Sequence, residues 1–571
     1  MTLEELKTIT SGKETLTIEF KSDVKRLPDG ELVDSLAAMA NSQGGMLFEG
    51  VEDDGTITGL CRAHFDVEGI VPLVENRTTP GLVVSVEKID CGDGLYVGVV
   101  HVKKSKLLIA TNDGKYLRRR LDANHKPEVV AIKPAEAQSW ESSLGTYDPS
   151  EMIFEGVSVD ELDPLQRVRL RRMIEEYSEE KSLLKLSDEE LDKALGLCAE
   201  SEGAMHPTLA GMLILGTEKL LRKHVPSHEA AFQVLKAGKV KVNEFRRKPL
   251  LEIFEEFKMM FGAQYSEDEM EIGLFRKGIP NYDRTAFREA FVNALVHRDY
   301  NMLGCIHVQF DDFGLRISSP GGFIEGVTVD NLLTAAPKSR NSCLADAIKR
   351  IGLAERTGRG VDRIFEGLLK YGRPAPDYSE SNSSVVTVRM LEAKADTLFI
   401  RMLMNREDRG IDMPIDSLLA LSALRDGELT VQELAAVLKK GETATRGVIG
   451  VLLREGMIEQ RVEGKVHVYF LGKAYHQEVG EEVAYTKMVG LRRERQLNMV
   501  LEHIDLHKAI SLTQVVDLCG ISRAAAKKML RKLCKNGNIV LLCKGRWAKY
   551  GKRMTESNGT LMESNGTLME P

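Results

Sequence analysis

One run near the amino end leaves little choice of local structure: Asn41-Ser-Gln-Gly-Gly-Met-Leu-Phe-Glu-Gly-Val-Glu-Asp-Asp-Gly55. A helical pattern ends at Asn41, and the paired glycines Gly44 and Gly45 feed an apolar strand. That strand leaves through the acidic turn Glu52-Asp53-Asp54. Upstream, Thr15-Leu-Thr-Ile-Glu19-Phe-Lys21 reads as a second strand with Glu19 and Lys21 on one face, because strand side chains alternate with period two.

At 571 residues the chain is too long for one core and is expected to divide into roughly three to five domains. No apolar run approaches the length of a membrane span, and Met1-Thr-Leu-Glu-Glu-Leu-Lys lacks the layout of a signal peptide. The eight cysteines include no C-x-x-C pair, and the twelve histidines show no ligand spacing. Structural zinc and disulfides are therefore not expected, and a reducing cytoplasm is. The net charge of -7 conceals a basic end: Leu491 to Arg553 holds fifteen Lys and Arg against four Asp and Glu.

The expected fold class is multidomain α+β. Residues 1–133 read as an α+β domain, 134–238 as a linker and helical connector, and 239–395 as an α/β sandwich. Pro207-Thr-Leu-Ala-Gly-Met-Leu-Ile-Leu-Gly is a buried helix or strand, and Leu107 to Thr111 a strand. Arg284 to Tyr300 is a strong helix ahead of two strands. Two units of three helices and a hairpin are expected at 413–473 and 495–553. A tail at 554–571 repeats Glu-Ser-Asn-Gly-Thr-Leu-Met and is expected to be disordered.

Glu14, Glu19 and the turn at Asp53 could converge at the end of a sheet, with Lys21 beside them. Clustered carboxylates suit a divalent cation that activates water against a phosphodiester, and a lysine could neutralise charge on the phosphate. The same residues also fit a surface ion pair and a solvated hairpin. Glu14, Glu19 and Lys21 resemble the E-x-x-x-x-E-x-K motif of the Schlafen family, and Gly44-Gly45 through Gly50-Val51-Glu52-Asp53 resembles its G-G…G-V-D-D segment. The resemblance implies an AlbA-like domain. In its RNA-cleaving members it implies a Mg²⁺ or Mn²⁺ site that maps to Glu14, Glu19 and Asp53. Glu49 departs from the pattern, which has an apolar residue before Gly50, and the domain is present once. Lys21, Arg118, Arg119 and Arg120 are expected to offer a basic groove to phosphates.

In the middle, Glu289-Ala-Phe-Val-Asn293 sets a carboxylate and an amide on one helical face. Asn293 could ligate magnesium while Glu289 orients a water toward an ATP γ-phosphate. Ser319-Pro-Gly321-Gly322 follows a strand, and Thr357-Gly358-Arg-Gly360 opens a helix, where backbone N–H groups can cradle phosphate. A packed α/β domain with glycine-capped helices would use the same residues. In order, with Arg340 in Ser339-Arg340-Asn341, they resemble the GHKL ATPase fold and the RecG-related helicase carboxyl-terminal family. The aspartate of the fold's adenine-reading D-x-G-x-G box is replaced at Ser318-Ser-Pro-Gly-Gly. No G-x-x-x-x-G-K-[S/T] motor motif occurs, so helicase action is not expected.

Toward the carboxyl end, Thr430 and Glu433 form a capping box, and the order helix, turn, helix, hairpin suggests two winged helix-turn-helix domains. In the second, Arg523, Lys527 and Arg531 stand four apart, and Lys544 and Arg546 sit in the expected wing. The whole order resembles Schlafen-domain transcriptional regulators. The leading expectation is a cytoplasmic DNA-binding regulator, homo-oligomeric and responsive to nucleotide. The alternatives are a metal-dependent nuclease acting on RNA, tRNA or DNA in antiviral defence, and a non-enzymatic assembly protein.

Overall fold

The paired glycines owe their place to the sheet they enter. In the computed structural model, strand Gly44–Glu49 runs parallel to Ile18–Lys21, with Glu19 opposite Leu47 and Lys21 opposite Glu49. On its other side it pairs antiparallel with Leu95–Lys103, which pairs in turn with Ser85–Gly92. Gly45 has φ +139°, and a Cβ there would lie 2.0 Å from the Thr17 carbonyl oxygen. Any side chain would push the two strands apart.

Parallel neighbours need a crossover, supplied by helix Asp29–Ala40. Its Leu32, Val33, Leu36 and Met39 pack with Leu47, Val100 and Val102 on one face of the sheet. Phe20, Phe48, Val97 and Val99 cover the other face with Leu6 of the first helix, Leu3–Thr10. Leu47 and Phe48 thus point to opposite faces and are both buried, which is why the strand reads as an unbroken apolar run. The buried Asn41 ends the helix and joins it to a distant segment. Its amide donates to the carbonyls of Ile109 (2.8 Å) and Leu117 (2.9 Å) and accepts from the Ile109 N–H (2.8 Å).

The structure describes residues 1–272, 275–354, 358–463, 466–519, 521, 523–543 and 548–552. Of these, residues 270–272, 275–277, 463, 482–484 and 486–493 are described by backbone alone. The expected tail at 554–571 lies outside this set. The chain divides into two units. One comprises Met1–Tyr265, Arg284–Ile364 and Pro376–Glu392; the other comprises Ser266–Asp283, Phe365–Ala375 and Ala393–Pro571.

The first unit also holds a five-stranded sheet. Its order is Lys239–Arg246, Ala230–Lys236, Ile306–Asp311, Gly314–Pro320, Val385–Leu391, with only Ala230–Lys236 and Ile306–Asp311 parallel. Helices Leu250–Gln264 and Arg284–Val296 join through aromatic side chains: Phe261 stacks on Phe287 at 4.0 Å, Phe257 on Phe291 at 5.2 Å.

Three local expectations change and one open alternative is resolved. The connector at 134–238, expected to be mainly helical, also holds the strands Cys198–Ser201, Ala204–Pro207 and Ala230–Lys236. The apolar segment after Pro207 resolves to helix Leu209–Leu215, started by Thr208, whose hydroxyl accepts the Gly211 N–H at 3.1 Å. The supposed linker contains helix Pro134–Leu144, and the strand expected from Leu107 is only Ala110–Thr111.

The second unit contains hairpin Glu267–Ile272 and Phe275–Pro280, followed by two similar assemblies. In the first, helices Ile415–Asp426, Val431–Leu438 and Glu442–Arg454 carry a sheet ordered Leu429–Thr430, Val466–Leu471, Ile458–Glu463. In the second, Glu482–His507, Leu512–Cys519 and Arg523–Lys535 carry Ile510–Ser511, Lys549–Gly551, Val540–Cys543. The strand order is the same in both. Val500, Ile504, Val515, Leu530 and Leu533 form the second core. No described helix is long and apolar enough to cross a membrane.

Candidate nucleotide pocket and nucleic-acid interface

Helix Arg284–Val296 carries Glu289 and Asn293 one turn apart, so both project from the same face. Helix Gly360–Leu369 begins against that face: a Cβ on Gly360 would lie 3.1 Å from Glu289 Oε2 and 3.7 Å from Asn293 Nδ2. These three residues line a cavity of about 670 Å³ in the first unit, with Gly321, Gly322 and Gly358 also in its wall. That volume is in the range of small-molecule and cofactor sites. Ile317, Val386 and Val388 from the sheet supply apolar surface, and Lys338 and Lys349 supply positive charge. Glu289 is buried and accepts from Arg288 Nη2 at 2.7 Å.

The remaining residues expected here divide by geometry. Arg340 does not line the cavity. It is buried, pairs with Asp299 at 3.1 Å, and donates to the carbonyls of Ser139 (3.0 Å) and Gly322 (3.2 Å). Its guanidinium holds the cavity wall together. Gly321 (φ +101°) is required by packing, because a Cβ would sit 2.8 Å from Asp299 Cβ. Where the D-x-G-x-G box has its aspartate stands Ser318, whose hydroxyl accepts from Arg316 Nη1 at 3.5 Å, and the next hydroxyl, of Ser319, donates to the Ala294 carbonyl at 2.8 Å. Thr357 lies outside the described residues. Four contributors went unseen in the sequence: His297, Lys338, Lys349 and the Ser143–Gly145 end of the connector helix. Burial, reinforced by Arg340 and Lys349, lowers the His297 pKa. No spacing rule marks such residues, because they come from different elements.

The acidic constellation is partly assembled. Glu14 accepts the Phe20 N–H at 2.8 Å. Burial raises the Glu14 pKa, and the nearby charges of Glu19 and Asp53 raise it further. Glu19, however, already holds two cations: Lys21 at 3.2 Å and the buried Arg119. Lys21 also pairs with Glu31 at 3.1 Å. Its burial, which disfavours the charge, is outweighed by these two glutamates, and its pKa rises. Glu14, Glu19 and Asp53 do not bring one oxygen each within 4.8 Å of one another. With Glu19 satisfied in this way, the three carboxylates do not fit a divalent cation in the arrangement seen.

Strand Leu117–Leu121 turns its arginines alternately. Arg119 points inward, donating to the Thr15 carbonyl at 2.9 Å as well as pairing with Glu19. Arg118 and Arg120 point outward to Glu136 (3.3 Å) and Glu128 (2.7 Å). The three-arginine phosphate face expected from the sequence is therefore at most a two-arginine face. In the second unit Arg523, Lys527 and Arg531 are exposed on helix Arg523–Lys535, joined by exposed Lys528, Lys532 and Lys535. Lys544 and Arg546 lie outside the described residues.

Fold and pocket together define a multidomain α/β protein with a cofactor-sized cavity in its first unit. Residues 14–128 match the family model "Schlafen, AlbA_2", and residues 305–390 match "Putative ATP-dependent DNA helicase recG C-terminal". Residues 140–231 match a domain of unknown function, DUF8451. The chain thus carries a Schlafen AlbA_2 domain and a RecG-carboxyl-terminal, HATPase-type domain, a combination pointing to a nucleic-acid-binding, ATPase-like protein. No curated protein matches it. The crystal structure of the DIP2311 protein from Corynebacterium diphtheriae is similar over 84% of this chain and 99% of that one, at 20% identity and a TM-score of 0.48.

Proposed function

We propose that this chain is a DNA-binding transcriptional regulator whose central pocket binds a nucleoside triphosphate with Mg²⁺. One observation carries the reading: Glu289 and Asn293, one turn apart on their helix, meet the sequence-distant Gly360 on the wall of one 670 Å³ cavity. Asn293 would hold Mg²⁺ through its side-chain oxygen, and the ion would neutralise phosphate charge. Glu289 would orient a water, the N–H groups beginning at Gly360 would receive phosphate oxygens, and Lys338 and Lys349 would attract the anion. No carboxylate stands at the usual adenine-reading position, so the base is left to apolar contacts with the sheet.

In this reading the two carboxyl-terminal assemblies are winged helices, and the second reads DNA. Support comes from its exposed helix with six basic side chains, Arg523 to Lys535. Nucleotide would change DNA affinity only by binding two arrangements unequally. The test is binding of a fluorescent ATP analogue with Mg²⁺ to the full chain and to Asn293→Ala, with DNA affinity measured with and without nucleotide. Absence of nucleotide binding, or equal binding by both proteins, overturns the pocket assignment. DNA affinity indifferent to nucleotide overturns the regulation.

A second reading, a metal-dependent nuclease, is favoured by the nearness of Glu19 and Asp53 to Glu14, on which both charges act. It requires Arg119 or Lys21 to release Glu19 when substrate binds. RNA incubated with Mn²⁺ and either the parent or Glu14→Gln decides it: uncut RNA, or equal cutting by both, removes the reading.

A further inference from the structure

Glu49 stands where the Schlafen pattern has an apolar residue, and its surroundings differ from those of the strand it ends. Its side chain is 1% exposed, and neither carboxylate oxygen makes a well-aligned hydrogen bond, although one of them touches His64. Oε1 lies 2.6 Å from His64 Nδ1, while the same nitrogen is 2.9 Å from Asp23 Oδ1. One imidazole proton cannot serve two carboxylates. Cys61 completes the group: Asp23, Cys61 and His64 each bring a ligand atom within 4.8 Å of the others.

We propose that Asp23, Cys61 and His64 bind one borderline-soft divalent cation, with Zn²⁺ the best match, and that Glu49, which touches His64 but lies outside that three-residue group, turns in as the fourth ligand. One sulfur, one imidazole nitrogen and two carboxylate oxygens suit tetrahedral zinc, whereas Mg²⁺ and Ca²⁺ prefer oxygen alone. Ligand bonds of roughly 2.0–2.3 Å imply ligand separations of about 3.3 Å or slightly more. The spacings of 2.6 and 2.9 Å are tighter than that by less than 1 Å. Small side-chain rotations would open the cluster around an ion.

The supporting residues are already set. Asp23 is fully buried and held by the N–H groups of Leu27 (2.8 Å) and Cys61 (2.7 Å). Cys61 immediately precedes the short helical turn Arg62–His64, giving a C-x-x-H pair on one turn of chain. The ion would clamp three segments: the loop after the first strand, the end of strand Gly44–Glu49, and this turn. Beside it, Ser22 donates to Glu52 of the acidic turn at 2.7 Å, so the clamp would fix that turn relative to the first strand. The site is separate from Glu14, Glu19 and Asp53.

The test uses the full chain, stripped with a chelator and titrated with Co²⁺ as a spectroscopic probe. One equivalent should bind with tetrahedral visible bands and a near-ultraviolet sulfur-to-cobalt band. Cys61→Ser should abolish the sulfur band, and Cys91→Ser should leave it intact. His64→Ala and Glu49→Gln should weaken binding at least about tenfold. Failure of the parent protein to bind Co²⁺ or Zn²⁺ stoichiometrically overturns the proposal, as does a sulfur band that survives in Cys61→Ser. Should that variant not fold, the parent decides alone: Zn²⁺ must raise its melting temperature, and no rise overturns the site.

Discussion

Arg119 and Glu19 face each other inside the amino-terminal domain, guanidinium against carboxylate, both less than a tenth exposed. The pair joins strand Leu117–Leu121 to strand Ile18–Lys21 across about a hundred residues of chain. Removing one partner of a buried pair leaves an uncompensated charge, at a cost of about 3–5 kcal/mol. Arg119→Ala is therefore expected to destabilise the protein by that order, with Lys21 keeping the loss toward the lower end. Arg120→Ala removes an exposed pair and should cost less than about 1 kcal/mol. Chemical denaturation of the two variants checks this, and equal losses would contradict it.

His228 makes stability depend on pH. It is fully buried, its Nε2 donates to the Lys248 carbonyl at 2.7 Å, and burial lowers its pKa to about 4, with Arg298 and Arg247 acting in the same direction. In the unfolded chain a histidine titrates near 6.5. Between those values the unfolded state binds a proton that the folded state does not. The stabilisation is thus complete above about pH 6.5 and declines as pH falls toward 4, by on the order of 3 kcal/mol. His228→Gln has no proton to gain. The stability difference between parent and variant, from denaturant midpoints across this range, should shrink as the medium is acidified.

How much of this was readable beforehand depended on where each signal sat in the chain. The helix ending at Asn41 and the strand after it were legible because glycines, an apolar run and an acidic turn lie within fifteen residues, whereas the parallel pairing with Ile18–Lys21 appears only in the structure. The strand Ala230–Lys236 was not: Ala230, Ala231 and Phe232 are buried in succession, and its sheet pairs it on both sides, so strict alternation is lost. Glu289, Asn293 and Gly360 could be named from their motifs, and the cavity brings them together. Arg340 was misplaced because a motif shows neighbours in sequence, while Asp299 and Ser139, which claim its guanidinium, are not sequence neighbours. The C-x-x-H pair at Cys61 and His64 was overlooked for a similar reason. Two ligands become a cluster only when Asp23 arrives from the loop after the first strand and Glu49 from the end of another.

The pocket wall leaves no room at Gly360. A Cβ there would stand 3.1 Å from the Glu289 carboxylate, so Gly360→Ala asks a flexible side chain to yield slightly. Gly360→Val asks more, and its methyls would enter the space proposed for phosphate. Nucleotide affinity should fall modestly in the first variant and at least about tenfold in the second, a loss of roughly 1.4 kcal/mol or more. Isothermal titration with an ATP analogue and Mg²⁺ measures both. Unchanged affinity in Gly360→Val would place the nucleotide elsewhere.

The basic helix separates two explanations of its charge. Arg523, Lys527 and Arg531 lie on a solvent face, away from Ala526, Leu530 and Leu533, which are buried in the core beneath. If the face only keeps the protein soluble, neutralising three of its charges changes little in DNA binding. If it contacts phosphates, each contact releases counterions, and the logarithm of affinity falls with the logarithm of salt by about 0.9 per phosphate on duplex DNA. Replacing all three residues with Ala should then lower that slope by roughly 2 to 3 and weaken binding more at low salt than at high salt. Stability should stay within about 0.5 kcal/mol per site, because exposed side chains of this kind carry little of the fold. Fluorescence anisotropy with a labelled duplex over a salt series gives the slope, and thermal melting gives the control. A parallel shift of all affinities with an unchanged slope would mean that these residues do not touch the DNA backbone.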